Sequence, residues 1–93
     1  MHSSVSLGEQ TADGILHTGK GYLSSVQIIT DGTNSATVII YDGLTAAGNK
    51  IFEGSVVGAN LSGLYDFTGP VTFNTGMYLD ISGTGASCIP YIM

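Results

Sequence analysis

The residues with the most recognisable chemical spacing are Gly14-Ile-Leu-His-Thr-Gly19-Lys20, which fit the G-x-x-x-x-G-K frame of a phosphate-cradling loop. The next position is Gly21, where a Ser or Thr hydroxyl would have to hold magnesium. The run that follows, Tyr22 to Thr30, is strand-like, so no helix N-terminus would meet a phosphate there. The segment reads as a glycine-rich turn carrying one solvated lysine.

Hydrolytic chemistry finds no better footing. The histidines are His2, beside the terminus, and His17, four residues along from Asp13. No Ser-bearing G-x-S-x-G elbow accompanies them. A general base needs a nucleophile and an orienting partner within reach, and the spacing marks out neither. His17 reads as a loop side chain at or near an interface. Asp31, Asp42 and Asp66 fall in or near predicted turns, but no D-x-[DN]-x-[DN]-G calcium loop is present. They read as turn caps. A glycosidase would need two carboxylates across a cleft, and nothing selects a pair. Cys88 is alone, which excludes an intrachain disulfide and a cysteine zinc cluster. Between Ser87 and Ile89 it reads as a small core residue. The expectation is no enzyme, no metal and no cofactor.

Five tyrosines are the best binding candidates: Tyr22, Tyr41, Tyr65, Tyr78 and Tyr91. Exposed tyrosines anchor protein interfaces or stack on sugar rings. Tyr78 shares a face with Asp80, opposite the Met77, Leu79 and Ile81 stripe, and is expected outside the core. The absence of Trp counts against a sugar platform.

The elements that must position these side chains are strands. Helix formers never run for three turns, and the apolar period is near two. Tyr22 to Thr30, Ala36 to Tyr41, Lys50 to Val57, Gly63 to Phe67, Val71 to Phe73, Met77 to Ser82 and Cys88 to Met93 read as strands, with Ser4 to Leu7 as a first one. Ala36 to Tyr41 is β-branched on both faces and is expected to be central or covered on both sides. Turns punctuate the set at Asp31-Gly32, Asp42-Gly43, Gly58-Ala59-Asn60, Gly69-Pro70, Asn74-Thr75-Gly76 and Gly83-Thr84-Gly85. The fold class is all-β: a jelly-roll or Greek-key β-sandwich of about seven or eight short antiparallel strands, with a small closed barrel as second choice. Residues 1–18 are expected as an N-terminal arm or loose edge segment, and 19–93 as the β-sandwich domain.

Composition narrows function by exclusion. Charged residues are 10% of the 93, where about 25% is ordinary. Only Lys20 and Lys50 are basic, there is no Arg, and the net charge is −5. No basic face can form to displace counterions from nucleic acid, and no polybasic membrane anchor is possible. No apolar run is long enough to span a bilayer, and residues 1–20 lack the pattern of a signal peptide. The chain is therefore expected to be made in a cytoplasm and to stay off membranes. A neutral surface rich in Gly, Ser and Thr suits a protein packed against neighbours.

One family resemblance follows. Ala36-Thr-Val-Ile-Ile-Tyr-Asp-Gly43 with Lys50-Ile-Phe-Glu-Gly54 resembles a pattern in small virion proteins of tailed bacteriophages. So do Tyr65-Asp-Phe-Thr-Gly-Pro-Val-Thr-Phe73, Gly76-Met-Tyr-Leu-Asp-Ile-Ser-Gly83 and the closing Ile89-Pro-Tyr-Ile-Met93. The resemblance spans residues 19–93 and implies a jelly-roll or related β-sandwich that decorates or cements a capsid, or belongs to a head fibre or tail. It implies a homotrimer on the major capsid protein at the virion surface, synthesised in the host cytoplasm, and carries no catalytic residue. Ile15, Leu16, His17, Tyr22, Tyr78 and Tyr91 are the candidate interface residues. A carbohydrate-binding or host-adhesion module of a phage fibre or tail is the alternative expectation.

Overall fold

Alternating apolar and polar residues make each strand two-faced, and two such sheets can hide their apolar faces only against each other. The computed structural model describes residues 5–93 (backbone alone for residues 68–70). Its strands are β1 Val5–Ser6, β2 Gly14–Thr18, β3 Gly21–Ile29, β4 Ala36–Asp42, β5 Asn49–Val56, β6 Ser62–Phe73, β7 Gly76–Ser82 and β8 Ser87–Ile92. One sheet has the order β1-β8-β3-β6 and the other β2-β7-β4-β5, with every pairing antiparallel.

The order has a simple origin. Pairs nest outward from the β4–β5 hairpin, as β3 with β6, β2 with β7 and β1 with β8. Alternate pairs fall into opposite sheets. A ribbon of nested pairs rolled in this way is a jelly roll, the first of the expected architectures.

Inward positions follow the alternation. Leu23, Val26 and Ile28 of β3, Ala36, Val38 and Ile40 of β4, Met77 and Leu79 of β7, and Cys88 of β8 are all fully buried. Each Leu, Ile or Met so buried contributes roughly 1.5–3 kcal/mol before entropy is counted. Phe52 closes the side between β5 and β6, its ring edge-on to Tyr65 at 5.2 Å and to Phe67 at 5.6 Å. Gly54 leaves room for this cluster, because a Cβ there would press on the Phe52 and Tyr65 rings.

The elements depart from the sequence reading in one place and sharpen it in two. Gly63 to Phe67 and Val71 to Phe73 are parts of one strand, with the register breaking between Asp66 and Val71. An edge strand tolerates that break, and Pro70 within it, because only one side of its backbone is paired. The run at 36–41 is central, between β7 and β5, but it is not covered on both faces: Thr37, Ile39 and Tyr41 stay partly exposed. Of the segment 1–18, offered as an arm or loose edge segment, Gly14–Thr18 is an edge strand of the sandwich and Val5–Ser6 pairs with β8. Met1 to Ser4, including His2 and the start of the expected first strand, lie outside the described residues.

Candidate functional site

With one face of each sheet committed to the core, the outward side chains define what the molecule can offer. On the β2-β7-β4-β5 sheet, register places Ile15 opposite Tyr78, Tyr78 opposite Tyr41, and Tyr41 opposite Lys50. Directly opposed residues have Cβ atoms roughly 5 Å apart, so these four form one row across the whole sheet. The next row holds Asp80, Ile39 and Glu53, and a third holds Ser82, Thr37 and Ser55. Lys50 Nζ donates to Glu53 Oε1 at 2.7 Å, and this contact raises the lysine pKa. Thr37 Oγ1 and Ser55 Oγ share a hydrogen bond of 3.1 Å. Tyr78 and Asp80 are half-buried, side by side on β7. The Asp80 carboxylate has no hydrogen-bond or ion-pair partner among the described residues, while its backbone sits in the β4–β7 pairing.

The outer face of the other sheet is less polar. Tyr91, Ile89 and Ser87 of β8 stand opposite Ser25, Gln27 and Ile29 of β3. Asp66, Leu64 and Ser62 of β6 extend those rows. Near the chain ends the Met93 N–H donates to the Tyr22 carbonyl at 3.0 Å, and the exposed Tyr22 lies beside it. Three of the most exposed large apolar residues, Val57, Leu61 and Leu64, gather at the β5–β6 connection, each above 60% accessible. Leu61 holds a φ of 61°, an unfavourable conformation for a bulky residue. Thr30 braces it, its N–H donating to the Leu61 carbonyl at 2.6 Å and its hydroxyl to the Gly58 carbonyl at 2.9 Å.

The six candidate interface residues are thus divided. Ile15 and Tyr78 meet on one outer face, while Tyr22 and Tyr91 belong to the other sheet. Leu16 and His17 turn inward, and the reason is a bulge in β2 that sets three residues, 15–17, against Tyr78 and Met77. Leu16 packs against the core, and the His17 ring stands edge-on to Phe73 at 5.4 Å. Tyr41 and Asp80 complete the Tyr78 surface. Tyr41 stands among the five tyrosine binding candidates, but its opposition to Tyr78 is visible only in the strand pairing.

Asp31, Asp42 and Asp13 have structural tasks. Asp31 accepts the Thr33 and Asn34 N–H groups at 2.9 and 2.7 Å, which lowers its pKa. Asp42 accepts Thr75 N–H at 2.9 Å and Asn74 N–H at 3.0 Å, which lowers its pKa as well. Asp13 accepts the Ile81 N–H at 2.7 Å and is not directed at His17. Asp66 lies within β6 and not in a turn. Among the described residues no group of three or more His, Cys, Asp or Glu is arranged to hold a metal. Gly14 to Gly21 runs from strand to turn to strand, without the helix a phosphate loop requires. Cys88 is fully buried, and burial pushes its thiol pKa up to about 12, far from the reactive range.

No family model, curated protein or solved structure matches this chain. Its function has to be argued from the two outer faces.

Proposed function

We propose that this chain is a structural protein of a tailed-phage virion, acting as a capsid decoration or cement protein. In this reading a homotrimer sits on the major capsid protein at the virion surface and bridges neighbouring capsomers. The observation that carries the proposal is the character of the two outer sheet faces. They point away from the core, they present Ile, Leu and Tyr side chains, and two of their few charges neutralise each other in the Lys50–Glu53 pair. Burying such faces removes apolar area from water and strips hydration from few ions. The jelly-roll fold supports the reading by analogy, since capsid proteins use it widely, although it hosts other functions too.

The mechanism is energetic. Each seated trimer adds interface that must be broken before capsomers separate, so the particle withstands more internal pressure. The acidic chain also has no affinity for packaged DNA that would draw it inward. Heads assembled with and without the chain provide the test. The chain should co-sediment with intact heads and raise the temperature at which they release DNA. Recovery in the tail or fibre fraction, or free in solution, overturns the proposal. A carbohydrate-binding or host-adhesion module is the second reading, favoured by the Tyr78–Tyr41 row. It requires saturable glycan binding that is lost on Tyr78→Ala with the fold intact.

A further inference from the structure

The row Ile15, Tyr78, Tyr41 and Lys50 spans roughly 15 Å, three strand spacings, across a sheet face over which no other described strand packs. Tyr78 and Tyr41 are direct cross-strand neighbours, and both are half-buried, so each still presents part of its surface to a partner. Asp80 projects from the same face two residues from Tyr78, roughly 7 Å along the strand. Its situation differs from that of the other acids near this sheet. Glu53 is tied to Lys50, Asp13 to the Ile81 N–H and Asp42 to the 74–75 turn. Asp80 alone of these four has no partner among the described residues.

Charge complementarity selects the occupant. The chain carries −5, and of its two lysines Lys50 is already paired. Any partner surface that meets this face without repulsion brings no excess of acids, and one that satisfies Asp80 brings a cation. A carboxylate beside an aromatic face suits a guanidinium best. Its planar cation stacks on a ring and still presents paired N–H donors to an acid, which an ammonium cannot do together. We propose that the outer face of the β2-β7-β4-β5 sheet receives an arginine-bearing segment of a partner protein, its guanidinium stacked on Tyr78 or Tyr41 and paired with the Asp80 carboxylate. This deepens the decoration reading by naming the chemistry of the surface docked against. The test uses no capsid, so the two stand or fall separately.

The experiment is a titration of the full chain, followed by amide chemical shifts, with an acetylated and amidated Gly-Arg-Gly-Arg-Gly peptide. A matched peptide with Gln for Arg and a neutral oligosaccharide mixture run in parallel. The arginine peptide should shift amides at Ile39, Tyr41, Tyr78 and Asp80 and weaken as salt is added. Asp80→Asn and Tyr78→Leu should each weaken it roughly three- to tenfold with the spectrum otherwise unchanged. Asp66→Asn, on the opposite face, should leave it unaltered. An equal loss in Asp66→Asn, or shifts spread over every carboxylate, would mean mere acidity and overturn the assignment. No response to the arginine peptide overturns it too, and shifts of these same amides by the oligosaccharides alone would give the face to glycans.

Discussion

Asp42 illustrates how a single side chain organises this fold. Placed at the end of β4, it accepts two N–H groups from residues 74 and 75 and so ties the β4–β5 hairpin to the connection that crosses from β6 in one sheet to β7 in the other. Asp31 does the same within its own turn. For both, backbone N–H donors hold the pKa below the ordinary 3.8, so the folded state binds protons less readily than the unfolded one. Their contribution is therefore full above the unfolded value and is lost as pH falls through the folded one. Thermal melts followed by circular dichroism should show a flat midpoint from about pH 7 to 5 and a decline below about pH 4. Asp42→Asn should melt a few degrees lower at neutral pH, by about 2–5 °C. Its acid decline should be shallower, and a variant with the same slope as the parent would show that Asp42 does not set it.

At the scale of elements, the edges show how the sandwich avoids uncontrolled pairing. β1 is two residues long, β2 is bulged, β5 carries the Lys50–Glu53 pair and β6 contains Pro70. Each is a known way to blunt an edge. The outer faces, where Tyr41 and Tyr78 stand, carry no such protection against contact. The connections carry their own constraints. Gly83 holds a φ of 115° and lies against the Ser35 carbonyl, so a methyl group there meets both backbone strain and a clash. Gly83→Ala should cost roughly 1–3 kcal/mol in chemical denaturation. Gly14→Ala, with open space around the added carbon, should stay within about 0.5 kcal/mol of the parent. Equal effects would mean that the Gly83 turn relaxes freely. The N-terminal segment is better anchored than an arm: Gln10 bridges Cys88 through paired backbone hydrogen bonds of 2.7 and 2.9 Å, and Asp13 holds β7.

For the whole molecule the question is what a 93-residue sandwich gains by association. A domain of this size buries a modest core, and added interface is a ready supplement to it. The two sheets leave two charge-poor outer faces on opposite sides of the sandwich. Solution mass by light scattering after size exclusion should be near three times the 9.6 kDa chain if the trimer forms unaided. A monomer instead would count against the proposed preassembled trimer.

Much of this was legible in the sequence because alternation is local. Met77, Leu79 and Ile81 against Tyr78 and Asp80 needs only the two-residue period of a strand, and both sets lie on the expected sides. The scarcity of charge is likewise read from the sequence without reference to any fold. Pairing is a different matter. That Tyr41 faces Tyr78, 37 positions away by subtraction of their numbers, depends on which strands become neighbours, and that choice minimises exposed apolar area over the entire chain. The inward turn of Leu16 and His17 depends on a bulge visible only against β7. Sequence alone thus determined the strands, their two faces and the missing charge. Tertiary structure decided the nesting and the aromatic row, because register is a property of two strands and no single strand contains it.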